Sequence, residues 1–175
     1  MLSAVIFAGA GPGRSFASPE AIVRTLASLV PAAIAGTVRD VTLAAMSGAP
    51  GARQIADHAG CELVEAATPG DVLRAAIAAA RGDLLFVLLA GRAPEPGFVE
   101  EVTDLFDRAS DRTPRAAVLR AEPGAFLHRL IPAISPVEGL IARRRDMAAG
   151  AADFAGLRRA LSAPVAMKCR LRRVG

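Results

Sequence analysis

The sequence predicts an α/β fold, a Rossmann-like three-layer sandwich with a mostly parallel sheet and helices on both faces. Three observations carry this. Short apolar runs alternate with longer Ala-rich amphipathic segments along most of the chain's 175 residues. The run "LLFVLLAG" is apolar throughout, as expected of a strand covered on both sheet faces. Helix start and stop residues punctuate the boundaries, giving a βαβαβαβ order that implies right-handed crossovers and a parallel sheet.

The elements follow in order. "LSAVIFA" (2–8) reads as the first strand and runs into the Gly-rich stretch "GAGPGRSFA". Ser18, Pro19 and Glu20 form an N-cap, a first helical position and an acidic first turn, so a helix is predicted from there. Its residues Ile22, Leu26 and Leu29 face the core. "RDVTLAAM" (39–46) is the second strand, "SGAPGA" a turn, "ARQIADHAG" a helix ending at Gly60, and "CELVEA" (61–66) the third strand. "PGDVLRAAIAAARG" is a helix expected to close at Gly82, before the buried strand 83–91. "RAPEPG" reads as a loop, "FVEEVTDLFDRAS" as a helix and "PRAAVLRAE" as a strand. The last third is less regular: "GAFLHRLIPAISPVEGLIARRRDM", a short helix "DFAGLRRAL" and a closing strand "PVAMKCRLRRV". No internal repeat or linker divides the chain. A single domain, 1–175, is expected, with a nucleotide-binding half over about 1–120 and an irregular basic segment over about 121–175.

Composition narrows the function. Trp and Tyr are absent and Phe numbers 7, so the stacking platforms of single-strand nucleic-acid binders are missing, and nucleic acid is not the favoured partner. Positive charge comes almost wholly from Arg within a chain-wide Ala/Arg bias, so a single arginine carries little weight. Formal net charge is +4, yet the stretch from Arg143 to Gly175 holds nine Arg or Lys against two Asp, and the rest of the chain is therefore mildly acidic. A basic end of this kind suits a solvated face or a peripheral contact with anionic lipid headgroups. The longest apolar run is too short to span a bilayer, and the N-terminus lacks the positive n-region of a secretory signal, which points to a soluble cytoplasmic protein, at most peripheral at the inner membrane face, with homo-oligomers possible. Cys61 and Cys169 belong to no CxxC pair and are expected as buried free thiols. No His, Cys and Asp grouping has metal-ligand spacing, and Ser15, Ser47 and Ser135 lack a nucleophile-elbow context. His128 and His58 read as a packed or surface histidine and a helix-end histidine.

The stretch "AGAGPGRS" invites comparison with a phosphate loop. Against the Walker pattern, Ala8 replaces the first Gly and Arg14 the Lys, while Gly13 and Ser15 match. Helix start signals sit at Ser18–Glu20 rather than at Gly13, where a phosphate-binding helix would have to begin. A turn is the better reading, and a P-loop-like nucleotide-binding module stays an alternative.

The order of segments resembles that of family-two glycosyltransferases, whose nucleotide-sugar-binding domain is the GT-A fold. "RTLASLVPAAIAGTVRDVTLAA" is similar to that family's first helix and second strand, and "ARQIADHAGCELVEA" to the helix and strand that follow. "AAIAAARGDLLFVLLAGRAPEPGFVEEV" is similar to its fourth strand and "PG-aromatic" loop, and "SPVEGLIARR" to its acceptor-side segment. The resemblance covers residues 2 to about 145. It implies a nucleotide-sugar site built from Ala8, Gly9 and Arg14 after the first strand, Ala45 and Ser47 after the second, Arg74 on the third helix, and Gly91 and Arg92 after the fourth.

Where the family holds its base-binding aspartate, Gly-Ser turn and second Asp, this chain has Ala45, Ser47, Gly48 and Pro50. Where the family's acid pair binds a divalent metal, it has Leu89, Ala90, Gly91 and Arg92, and the helix positions of Asn and Gln carry Arg74 and Val72. No metal or other cofactor is therefore expected. A diphosphate needs counter-charge, which oxygen-held metal or arginine supplies. Glu138 is the placed candidate for the acceptor-activating base, with Asp146 and Asp153 behind it. These residues predict a glycosyltransferase-like protein, catalytically degenerate, that keeps the scaffold for a nucleotide, nucleotide sugar, glycan or partner protein. The alternative is an active metal-independent transferase using Arg14, Arg74 and Arg92 for the diphosphate.

Overall fold

In a computed structural model, described for residues 1–9, 17–106, 116–123, 135–148 and 152–175, the sheet is built outward from the first strand. β1 (Leu2–Phe7) is buried along its whole length and pairs in parallel with β2 (Val38–Met46) on one side and β4 (Leu84–Leu89) on the other; β3 (Glu62–Ala66) adds in parallel beyond β2. β6 (Ala116–Arg120), β7 (Val137–Arg143) and β8 (Val165–Ala166) complete a seven-stranded sheet of order β3-β2-β1-β4-β7-β6-β8. β7 runs antiparallel to both β4 and β6, so the sheet is mostly rather than wholly parallel. A second, two-stranded ribbon joins β5 (Arg92–Pro94) to β9 (Leu171–Arg173).

Helices cover both faces. α1 (Pro19–Ile34), α2 (Ala52–Ala59) and α4 (Phe98–Phe106) bury Ile22, Leu29, Ala56 and Val102 against Ile6, Leu43 and Phe86 on one face. Phe86 and Phe98 meet there with ring centroids 4.9 Å apart. α3 (Pro69–Ala79), α5 (Arg144–Ala148) and α6 (Phe154–Ala160) bury Leu73, Ile77, Met147 and Leu157 against Val5, Leu85 and Leu140 on the other. Alternation along each strand divides these side chains between the two layers, as the pleat requires.

Local signals account for most boundaries. Ser18 caps α1, its hydroxyl accepting from the Ala21 N–H at 3.2 Å, and Pro19 opens the helix. Gly60 ends α2 at φ 65°, the left-handed conformation glycine adopts without a Cβ penalty. Gly82 does not close α3: the helix ends at Ala79 with Ala80 extended. Instead Gly82 donates its N–H to the Ser3 hydroxyl at 2.7 Å, and a Cβ there would collide with that oxygen. The freed carbonyls at this helix end go to Arg144, whose guanidinium donates to Gly82 O at 2.6 Å and also to Ala80 O.

The remaining departures lie toward the C-terminal end. "RAPEPG" contains β5 rather than being a loop throughout, and the expected closing strand is two short strands, β8 and β9, in different sheets. The segment expected to be irregular contains β7, six of whose seven residues are buried. Cys169 is buried, but Cys61 is only half-buried. The helix expected over 98–110 is described to Phe106. Among the described residues no helix is long and apolar enough to cross a membrane.

Candidate functional site

The sheet order changes direction at β1, with β2 and β3 to one side and β4 to the other. In open α/β sheets the crevice outside the carboxyl ends of strands at such a switch point is where ligands bind. Here that place is framed by Ala8–Gly9 after β1, Gly91–Arg92 after β4 and the first turns of α1. Ala90 donates its N–H to Phe7 O at 3.0 Å, holding the end of β4 beside β1. Gly91 then turns at φ +84°, where a side chain is disfavoured. Its N–H donates to the Thr25 hydroxyl at 2.9 Å, and that hydroxyl donates to Ala21 O. Its carbonyl accepts from the Val174 N–H at 2.9 Å. The end of β4 is thus fastened to α1 and to the strand end of β9.

One ion pair dominates this crevice. Arg92 presents its guanidinium edge to Glu138, with Nη2 2.7 Å from Oε1 and Nε 2.6 Å from Oε2. The side chains are 15% and 3% exposed, so this two-point contact is largely withdrawn from water. Two local devices deliver the partners. Arg92 opens β5 directly after the Gly91 turn. Glu138 is the extra residue of a β-bulge, because the β6–β7 register steps from Leu119↔Gly139 to Arg120↔Val137. Bulges re-aim side chains in this way. Across the ribbon, Arg173 lies directly opposite Arg92.

The other expected residues are distributed differently. Ala8 is buried, and its N–H donates to Ala44 O at 2.8 Å, extending the β1–β2 ladder. Gly9 lies directly over its own strand's Phe7 ring, which a Cβ would strike. Ala45 is fully buried and faces the helix-covered core, so it offers no group to a ligand. Ser47 is exposed in the turn after β2, its N–H donating to Ala66 O at 2.9 Å.

Arg74 projects from α3 and pairs with Asp71 at 2.5 Å. Hydrogen bonds from the Thr68 hydroxyl and from Arg74 hold the Asp71 carboxyl below its usual range. Arg74 and Arg92 therefore engage different carboxylates, and Arg14 lies outside the described residues, as does His128. Asp153 caps α6 by accepting from the Gly156 N–H at 2.5 Å, and Asp146 lies 3.7 Å from Arg145. α1 begins at Pro19, not at Gly13, so the helix start that a P-loop module needs is elsewhere.

Sequence reading missed Thr25, the side chain that fixes Gly91, and Arg173. The alternation of Leu171 and Arg173 around Arg172 is the one local trace of the latter's position. A shallow cavity of about 430 Å³ lies past the Ser47 turn, lined by Ala49, Gly51, Arg53, Gln54, Asp57 and Glu65 among others. An Arg53–Glu65 ion pair lies along it. Among the described residues no group of three or more His, Cys, Asp or Glu side chains converges as a metal site would need.

Sheet order, antiparallel β7 and the small β5–β9 ribbon together give a GT-A-like fold. Glucosyl-3-phosphoglycerate synthase from Mycobacterium tuberculosis, crystallised with Mn2+, UDP and phosphoglyceric acid, superposes with a TM-score of 0.59 at 15% identity over 83% of this chain. The same enzyme with Mn2+, UDP-glucose and phosphoglyceric acid gives 0.57 at 14% identity, again over 83% of this chain. A further mycobacterial protein of solved structure gives 0.58 at 19% identity and is covered over 54% of its own length. At these identities the likeness is one of fold. The chain spans 57% of the length of the synthase. No family model and no curated protein sequence matches the chain.

Proposed function

We propose that this chain is a glycosyltransferase-like protein that keeps the GT-A scaffold to bind a nucleotide or nucleotide sugar and has lost metal-dependent transfer. The Arg92–Glu138 pair at the end of β4 carries the reading. This is where the resemblance locates the acid pair that grips a divalent ion. Leu89, Ala90 and Gly91 supply no side-chain oxygen there, and both oxygens of Glu138 contact a guanidinium. A divalent ion needs several oxygen ligands with lone pairs turned toward it. This donor set does not fit one.

The same pair weakens the case for catalysis by Glu138. A general base must offer a lone pair to the acceptor hydroxyl, whereas Arg92 donates to Glu138 Oε1 and lies against Oε2 at 2.6 Å, so an acceptor would have to share the carboxylate with a guanidinium. The metal-independent transferase also needs Arg74 beside Arg92, whereas Arg74 pairs with Asp71 on α3. The scaffold that holds UDP in the mycobacterial synthase supports a nucleotide as ligand. The cavity past the Ser47 turn lies on the side from which the resemblance draws its base-holding residues.

Calorimetric titration with UDP and a panel of UDP-sugars, with and without Mn2+, tests the proposal. The expected result is binding that Mn2+ leaves unchanged, with no release of UDP from any sugar donor. Binding strengthened by Mn2+, or turnover, would overturn it. No binding by any nucleotide would leave a scaffold kept for a glycan or a protein partner.

A further inference from the structure

We propose that Arg173 is the anion-holding residue of this crevice and that Arg92 and Glu138 form the support on which it acts, the ligand being the diphosphate group of a nucleotide. The inference rests on the reading that the crevice takes a nucleotide and assigns the counter-charge to a residue on β9. The argument begins with register. β5 and β9 pair antiparallel, with Arg92 opposite Arg173, Ala93 opposite Arg172 and Pro94 opposite Leu171. Directly opposed residues share a face, so Arg92, Pro94, Leu171 and Arg173 lie on one side of the ribbon and Arg172 on the other. Leu171 is fully buried, and a Cβ on Gly139 would meet its side chain at 2.8 Å, which fixes that side as the one turned toward the main sheet.

Charge does the rest. Two cations directly opposed across an antiparallel pair repel, and such pairs are unfavourable unless countered. Glu138 counters Arg92, the cation it touches at two points. Arg173 is exposed, and its side chain makes no hydrogen bond or ion pair within the described residues. The group of Arg92, Glu138 and Arg173 therefore carries one net positive charge, next to a turn where the Gly91 N–H is already used by Thr25.

The position also suits the ligand. Val174 donates its N–H to Gly91 O, and a Cβ on Gly175 would stand 3.0 Å from the Ala21 Cβ, so the strand end passes over the first turn of α1. Arg173 is thereby held at the switch point, where a diphosphate would lie across the carboxyl ends of β1 and β4. A guanidinium fork meets phosphate oxygens at two points and needs no metal between them. Glu138 keeps Arg92 drawn inward, so the free fork is that of Arg173.

The test compares Arg173→Gln with Arg172→Gln, the neighbour on the opposite face. Titrants are UDP, inorganic pyrophosphate and uridine, with vesicles containing phosphatidylglycerol as the lipid source of phosphate. For the parent chain, UDP and pyrophosphate are expected to bind without metal, and uridine much more weakly. Arg173→Gln should weaken UDP and pyrophosphate by about 10- to 100-fold, the range of a lost charge-assisted hydrogen bond, while Arg172→Gln leaves them unchanged.

Pyrophosphate binding that depends on Arg173 without UDP binding would keep this assignment and end the nucleotide reading. UDP binding indifferent to Arg173→Gln would keep the nucleotide reading and end this assignment. Equal losses in both variants would mean general charge attraction and overturn it, as would Arg173-dependent vesicle binding without pyrophosphate binding. Thermal melting separates a folding defect from a lost contact: Arg173→Gln should melt no lower than the parent in the absence of ligand, since it removes a repulsion.

Discussion

Glu138 and Arg92 each look replaceable alone and are not, because each is the condition for burying the other. Removing one partner of a buried pair leaves a charge without counter-ion in a poorly hydrated place, typically at about 3–5 kcal/mol, whereas replacing both with apolar groups is often neutral. Glu138→Leu and Arg92→Met should therefore each destabilise the protein by about 3 kcal/mol, while the double variant Arg92→Met with Glu138→Leu loses much less than the sum. Urea denaturation read as a double-mutant cycle checks this, and additive losses would show the pair to be independent.

Cys169 gives a second residue-scale expectation. Burial pushes its thiol up to about 11, aided by the carboxylates of Glu101, Glu95 and Glu100. Glu101 is fixed close by, its two oxygens accepting the N–H groups of Lys168 and Cys169, both at 2.7 Å. The folded state holds this proton more tightly than the unfolded one. The contribution to stability is thus fully present below the ordinary value of 9.0 and is lost as pH rises through about 11. Melting curves over that range should fall more steeply for the parent than for Cys169→Ala.

At the scale of elements, what the sequence made legible was whatever a few neighbouring residues decide. Ser18-Pro19-Glu20 announce α1 and Gly60 stops α2, because caps are satisfied within one turn. Gly82 misled for the opposite reason. The end of α3 is finished by Arg144, a residue far along the chain, and the glycine serves a close approach to Ser3. β5 was unreadable and β9 was read only as part of one longer closing strand, because three residues carry no usable period and their pairing exists only once the chain has folded back. β7 holds the same lesson in a testable form. Gly139 has no room for a methyl, with Leu171, Leu119 and Phe86 atoms 2.8, 3.2 and 3.3 Å from the position a Cβ would take. Gly139→Ala should cost about 1–3 kcal/mol through overpacking. Because Leu171 must move, β9 and Arg173 shift with it, so the variant should also weaken pyrophosphate binding. Calorimetry on the folded fraction would reveal this, and an unaltered affinity would uncouple β7 from the ribbon.

Across the whole molecule, the basic C-terminal third is not a single charged face. Arg144 is spent on helix-end carbonyls, Arg170 donates to Ala121 O at 3.5 Å, Arg158 and Arg159 lie on α6, and Arg173 lies opposite Arg92 on the ribbon. Composition registered the sum of these charges but not their division, since division depends on which strand pairs with which. The site was legible to a similar extent: Arg92 and Glu138 stood out singly, and their mutual contact depends on a bulge that no local pattern announces.

The metal question is testable at this same scale, because a cation that binds only the folded chain stabilises all of it. A ligand present at 100 times its dissociation constant adds about 2.7 kcal/mol, which for a chain of this size raises the melting temperature by several degrees. Neither Mn2+ nor EDTA should move the melting temperature measurably, since Glu138 is held by Arg92 and β4 ends without carboxylates. Pyrophosphate should raise it, and Arg173→Gln should cut that rise to about half or less. A rise with Mn2+ alone would require carboxylates to gather at the strand ends in place of the arginine pair, and the metal-free reading would then give way to an ordinary metal-dependent site.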